Sequence, residues 1–247
     1  MIVIFYAFSR EVGTLKRRFE TRGALGLEGL KGFRGRLGAN EVAAIATGIG
    51  IERARETARR AFESLSPVDF AISTGVAGAL SEGLAAGDVI VADRFVLRSE
   101  AGADRIVAMN APELDRVKEA LRAAAIHFSI GAILTSPHPL VTAAAKRRAK
   151  AETGAIAVEM ESAVIALEAT SRGIPFACVR TILDAADEEV IGAEVADEEG
   201  RVRPLRAAGF IVRHPAAIVT LARIARNLGL ASKSLAGAIE TIVRYTG

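Results

Sequence analysis

Short apolar runs rich in β-branched residues alternate with amphipathic stretches along nearly the whole chain, and this alternation is the strongest constraint on its fold. Residues 2–8, 42–47, 70–76, 89–97, 126–134, 155–158 and 176–183 read as strands, with a shorter pair near Phe33. Between them, Ile51, Ala54, Ala58, Phe62 and Leu65 share one helical face, as do Leu114, Val117, Leu121 and Ala124. Strands and amphipathic helices strung alternately can bury their apolar faces together only by laying helices over a sheet. The class is α/β. A further helix is predicted from about Glu159, burying Met160, Ala163, Val164 and Leu167 and stopped by Gly173 and Pro175. Near the C-terminus, Pro215 opens a helix expected to end at Gly229, and Leu235, Ala238, Ile239, Ile242 and Val243 mark a final one.

With 247 residues, 51% of them hydrophobic, the chain can bury a large core, and no linker or repeat divides it. One domain spanning 1–247 is expected, with a C-terminal helical extension over about 201–247. The single cysteine, Cys178, rules out a disulfide framework and a thiolate metal cluster, which fits a reducing cytoplasm. The apolar start lacks a basic leader, and no uninterrupted apolar stretch reaches the ~18 residues of a membrane span. A soluble, cytoplasmic protein is therefore expected. The formal charge is +3, but aromatic residues make up only 5% and tryptophan is absent, so no stacking platform for nucleic acid is present. Charge is instead segregated: residues 184–199 hold eight acids and no base, and residues 201–238 hold seven arginines and lysines and no acid. The basic segment reads first as a solvated helix face or a dimer contact, with peripheral contact to anionic lipid as the alternative.

Several short patterns carry candidate chemistry. Thr47-Gly48-Ile49-Gly50 joins a strand to a helix but lacks the rest of a dinucleotide fingerprint, so it reads as a tight turn. Thr74-Gly75-Val76-Ala77-Gly78 ends another strand with residues small enough to let the backbone approach a ligand. Glu11 follows Ser9, a pattern that helix capping explains by itself. Glu159 and Glu161 open a helix; the dipole accounts for one acid, and two invite a second role, since a carboxylate can accept from two vicinal hydroxyls at once. Asp184 emerges from a long apolar strand, where burial raises a carboxyl's pKa and suits it to acid catalysis, although capping with Asp187 is an alternative. His127, His138 and His214 show no metal-ligand spacing.

In their order and spacing, REVGTL, ATGIG, ISTGVAGAL followed by GDVIVAD, AVEMES and VRTILDAAD resemble the nucleoside phosphorylase and nucleosidase superfamily, particularly its methylthioadenosine/S-adenosylhomocysteine nucleosidases. The resemblance spans most of the chain. It implies a three-layer αβα sandwich around a central mixed, twisted sheet, a homodimer, a nucleoside substrate and no metal or organic cofactor. It also implies roles: Glu11 to orient or activate the attacking water, Glu161 to grip the ribose hydroxyls with Met160 against the sugar, and Asp184 to protonate the purine at N7. Ala77, Gly78 and Glu159 would border the same site.

Relatives that use phosphate carry arginines before the loop matching TGVAG and in a glycine-rich segment after strand one; here those places read Ile72-Ser73 and Phe8-Ser9-Arg10-Glu11. Hydrolysis is therefore the expected reaction. A phosphate-dependent purine phosphorylase is the rival, and a noncatalytic nucleoside-binding protein is the rival of another kind. Leu183 stands where the methylthioadenosine enzymes usually have serine, and Ser136-Pro137-His138-Pro139-Leu140 replaces the segment bearing their stacking phenylalanine. The tail from Gly200 to Ala231 resembles a hopanoid-associated branch, which implies a 5′ substituent such as the hydrocarbon of adenosylhopane.

Overall fold

The computed structural model describes residues 1–101, 103–190 and 217–246. Its strands join in one mixed sheet. Strand β1 (Ile2–Tyr6) runs parallel to β4 (Asn40–Ala46) on one side and β5 (Phe70–Ala79) on the other. Beyond β4 lie β3 (Lys31–Leu37) and β2 (Thr21–Ala24), each antiparallel to its neighbour. On the far side the sheet curls shut. There β5 pairs with β10 (Phe176–Asp184), β10 with β6 (Val89–Arg98), β6 with β8 (Phe128–Thr135) and β8 with β9 (Ala157–Glu159), and β9 returns to the end of β5. A hairpin arm, β7 (Asp104–Ala108), extends β6. Parallel strands covered on both faces explain why these runs are apolar throughout rather than alternating.

Successive side chains of β1 serve opposite cores: Val3 and Phe5 in one, Ile2, Ile4 and Tyr6 in the other. Helices α2 (Ile51–Ser64) and α5 (Ser162–Thr170) cover the first face. The second is covered by α1 (Gly13–Lys16), α3 (Ala111–Ala123) and α6 (Ala217–Thr246), the last contributing Leu235, Ala238, Ile239, Ile242 and Val243. The result is a three-layer αβα sandwich around a mixed sheet. Against the curled side packs α4 (Ala143–Thr153), through Ala149 with Leu134 and Val158. None of the described helices is long and apolar enough to cross a membrane.

Some expectations are corrected. The helix expected from Glu159 begins at Ser162, because the Glu159 carboxylate accepts from the amides of Glu161 and Ser162 and holds the chain in a bend just before it. Met160 sits in that bend, half-buried. The strand expected from residue 126 starts at Phe128, and Ala124 is exposed. Gly229 does not end a helix: α6 runs through it for 30 residues, since a glycine in a helix costs only about 1 kcal/mol and the apolar stripe beyond it has a core to enter. Pro215, His214 and the basic residues at 201, 203, 206 and 213 lie outside the described residues.

Candidate active site

Along one edge, β5 pairs with β1 only as far as Ser73 and with β9 only from Gly78. Between them the edge is open, near the carboxyl ends of β1 and β5 where ligands of α/β sheets bind. Glu11 fills this gap. Its Oε1 accepts from the Val76 amide (2.9 Å), and its Oε2 accepts from the amides of Ala7 (2.9 Å) and Phe8 (3.1 Å). The helix-capping explanation of Glu11 therefore fails: α1 starts only at Gly13, without a side-chain cap. Burial pushes the Glu11 carboxyl upward, against Arg180 and the three amides, which pull it down. A carboxylate has about four acceptor positions, so one remains on Oε1.

Arg180 is the charge around which this region is built. It is only 1% exposed. Its Nη2 donates to Glu159 Oε2 (2.5 Å) and Ser162 Oγ (2.7 Å), and its Nη1 to the carbonyl of Thr74 (3.2 Å). Glu159 is saturated as an acceptor, because Oε2 also takes the amides of Glu161 (3.0 Å) and Ser162 (2.7 Å) and the Ser162 hydroxyl, while Oε1 takes Thr135 Oγ1. Among the described residues Glu161 has one close donor, the Gly50 amide on Oε1 (2.9 Å), with Arg180 Nη2 3.7 Å from Oε2. Burial first, then the neighbouring Glu159 charge, raises the Glu161 carboxyl, with Arg180 opposing.

The glycine motifs now have physical reasons. Gly50 holds φ 106°, which turns its amide onto Glu161. At Gly75 a side chain would meet Arg180 Nη1 at 2.4 Å and Glu11 Oε1 at 2.5 Å. Only glycine lets the strand pass between those two groups.

Asp184 closes the site from the end of β10, 8% exposed. Its Oδ2 accepts from Lys146 Nζ, and the same ammonium donates to the carbonyls of Ala185 (2.7 Å) and Glu188 (2.9 Å). Burial raises its carboxyl, Lys146 and more weakly Arg223 oppose, and Glu188 adds to the rise. Asp187, the alternative capping partner, is exposed.

Glu11, Ala77, Gly78, Glu159, Met160, Glu161 and Asp184 all line one cavity of about 250 Å³. Its other walls are apolar, among them Phe8, Ile49, Leu140, Val141, Leu183 and Val190. Arg10 is not among its lining residues; it lines a neighbouring cavity of about 390 Å³ with Lys16, Lys31 and Arg53. Every expected site residue is thus brought together, although the Glu159 carboxylate is turned away to Arg180. Sequence reasoning missed Arg180 and Lys146. An arginine inside the apolar run FACVRTILD demands buried carboxylates, a signal that was present; Lys146 sits in AAAKRRAK, which reads as a solvated basic helix. Among the described residues, no group of three or more His, Cys, Asp or Glu could hold a metal ion.

The fold has known counterparts. The family model of the phosphorylase superfamily matches residues 1–208, and the chain belongs to that superfamily. It is 29% identical over 212 residues to the 5′-methylthioadenosine/S-adenosylhomocysteine nucleosidase of Staphylococcus aureus (strain bovine RF122 / ET3-1), covering 80% of this chain and 91% of that one. Among solved structures it is similar to the nucleosidase of the same name from Neisseria meningitidis, with a TM-score of 0.76, 19% identity and 98% of each chain covered. The futalosine hydrolase of Helicobacter pylori gives a TM-score of 0.77 at 20% identity, over 98% of this chain and 96% of that one.

Proposed function

We propose that this protein is a nucleosidase that hydrolyses the N-glycosidic bond of an adenine nucleoside bearing a 5′ substituent, releasing adenine. The observation that carries the reading is the convergence of Glu11, Glu161 and Asp184, from three distant parts of the chain, on one small cavity. Glu161, with acceptor positions left over, takes the two ribose hydroxyls while Met160 packs on the sugar. The C1′–N9 bond breaks with its electron pair going to the purine, and Asp184 gives its proton to N7, so the base departs neutral. The sugar becomes oxocarbenium-like, near the carboxyl oxygens of Glu11 and Glu161. Water held at the remaining Oε1 position of Glu11 adds to C1′ and yields its proton to that carboxylate. Solvent then returns Asp184 and Glu11 to their starting states. Glu159 acts through Arg180 and the amides of the bend rather than on the substrate.

Water is favoured over phosphate because Glu11 places a carboxylate at the attacking face, and among the described residues Arg10 opens, with Lys16, Lys31 and Arg53, into the neighbouring cavity. The apolar walls formed by Leu140, Val141, Leu183 and Val190 favour an apolar 5′ group, and at about 250 Å³ the cavity leaves most of a polycyclic hydrocarbon such as that of adenosylhopane outside it. The test is chromatography of free adenine after incubation with methylthioadenosine, S-adenosylhomocysteine and adenosine, each with and without phosphate. Adenine should be released equally in both. Dependence on phosphate would make the protein a phosphorylase, and binding without consumption a noncatalytic binder. Asp184→Asn and Glu161→Gln should each lower turnover on the order of 10²-fold or more; wild-type rates in both would remove their assigned roles.

A further inference from the structure

We infer that Lys146 is a positioning residue for this reaction: its buried ammonium aims the Asp184 carboxyl at the base and stabilises the carboxylate left behind when the proton passes to the leaving purine. The inference rests on the proposed function and adds a residue that neither the motifs nor the resemblance marks.

Helix α4 carries several charges, and their placement separates one from the others. Arg147 and Arg148 are exposed, and Arg148 pairs with Glu152 along the helix at 2.7 Å. Lys146 is 0% exposed and shares the inward face with Ala149. An ammonium taken wholly out of water is costly unless its donors are met. All three are: Asp184 Oδ2, the Ala185 carbonyl and the Glu188 carbonyl. Three oxygen acceptors match the three protons of an ammonium, whereas a neutral amine would turn a lone pair toward one of them. Each donor of the Lys146 side chain thus meets an oxygen, and these contacts pin both Asp184 and the turn that follows.

The loop has further anchors that do not reach the carboxyl. Glu188 Oε1 pairs with Arg223 on α6 at 2.8 Å, and Asn227 donates to the Leu183 carbonyl at 3.0 Å. The charged groups facing Asp184 are thus Lys146 from α4, Glu188 from its own loop and Arg223 from α6, with Glu11 and Glu161 lining the same cavity. Lys146 exerts the largest pull toward the ionised form, opposing burial. An acid that donates its proton inside an apolar cavity must leave a carboxylate there, and an adjoining fixed cation lowers the energy of that state.

The test compares wild type with Lys146→Met and Lys146→Gln in steady-state adenine release across pH, on whichever nucleoside the wild type consumes. Loss of the cation should lower kcat about 10- to 100-fold with KM changed less than about 3-fold. It should also move the alkaline limb of kcat/KM upward by about one pH unit or more, because Asp184 then holds its proton more tightly. A nitrophenyl riboside, whose leaving group departs without protonation, should be cleaved by both variants nearly as fast as by wild type, relative to any activity it supports. An unmoved alkaline limb, or equal losses on both substrates, would overturn the inference. If neither single variant folds by circular dichroism, Lys146→Met/Asp184→Asn decides: recovery of the fold identifies the stranded carboxylate as the lesion, and failure to recover shows that Lys146 matters only as packing. If wild type releases no adenine from any nucleoside, the proposed function fails first, an outcome separate from a variant that matches an active wild type.

Discussion

Four buried ionisable groups, Glu11, Glu159, Glu161 and Arg180, share the centre of the site, and they differ in how many hydrogen bonds each already has. Glu159 is full and holds Arg180; Glu161, with one close donor among the described residues, keeps the acceptor positions that the proposed function gives to the ribose. Keeping them open has a cost in stability. The folded pKa of Glu161 lies above its unfolded value. The stability this group contributes is therefore complete below the unfolded value and is lost as pH rises through the folded one. Glu161→Gln removes the titration and keeps an acceptor for the Gly50 amide. Its melting temperature should exceed that of wild type by ~2–4 °C at pH 9, as for ~1 kcal/mol in a chain of this size, and the difference should vanish toward pH 4. Differential scanning fluorimetry across that range measures it, and a variant less stable than wild type at pH 9 would count against a strained, functional Glu161.

At the scale of elements, the turns after β1 and β4, the open stretch of β5 and the bend before α5 contribute more than their lengths suggest. The turn after β1 supplies two amides to Glu11, the turn opening α2 supplies one to Glu161, and the open stretch of β5 supplies the last. Helix α6 shows the opposite economy, since its glycines serve no contact. A side chain at Gly229 would meet nothing within 4 Å. Gly229→Ala should stabilise the protein by about 0.5–1 kcal/mol through a less flexible unfolded chain, seen as a higher urea midpoint with unchanged turnover. A destabilised variant would mean that the backbone there departs from an ordinary helix.

For the whole molecule, α6 packs its C-terminal half into the core beside β1 and α3, so we propose one folded unit in which the C-terminal helix is integral rather than appended. Contact of the basic tail with lipid is a separate proposal; Arg223 already pairs with Glu188, and the arginines before it lie outside the described residues. We also propose a homodimer, supported by the exposed apolar side chains of Ile106 (60%) and Val141 (36%), the latter at the cavity wall. Light scattering after gel filtration should give twice the 25.9 kDa chain mass; a monomer that still releases adenine would refute it.

Periodicity in the sequence determined the α/β class and most strand and helix positions, because apolar spacing reports burial directly, while the choice of acids rested on the order and spacing of the motifs that carry the resemblance. It also kept Glu11 ambiguous between cap and base, since both uses place the same residue after the same strand. Only the tertiary structure removed the cap reading, by bringing the Val76 amide, 65 residues away, onto its carboxylate. The same holds for Glu159 against Glu161, separated by their distances to Arg180, and for Lys146, whose helix reads as a solvated surface until Asp184 and the turn beyond it close over the ammonium. Local spacing tells which residues are buried. Which buried charges meet is settled by contacts far apart in sequence, and in this protein those meetings set the chemistry.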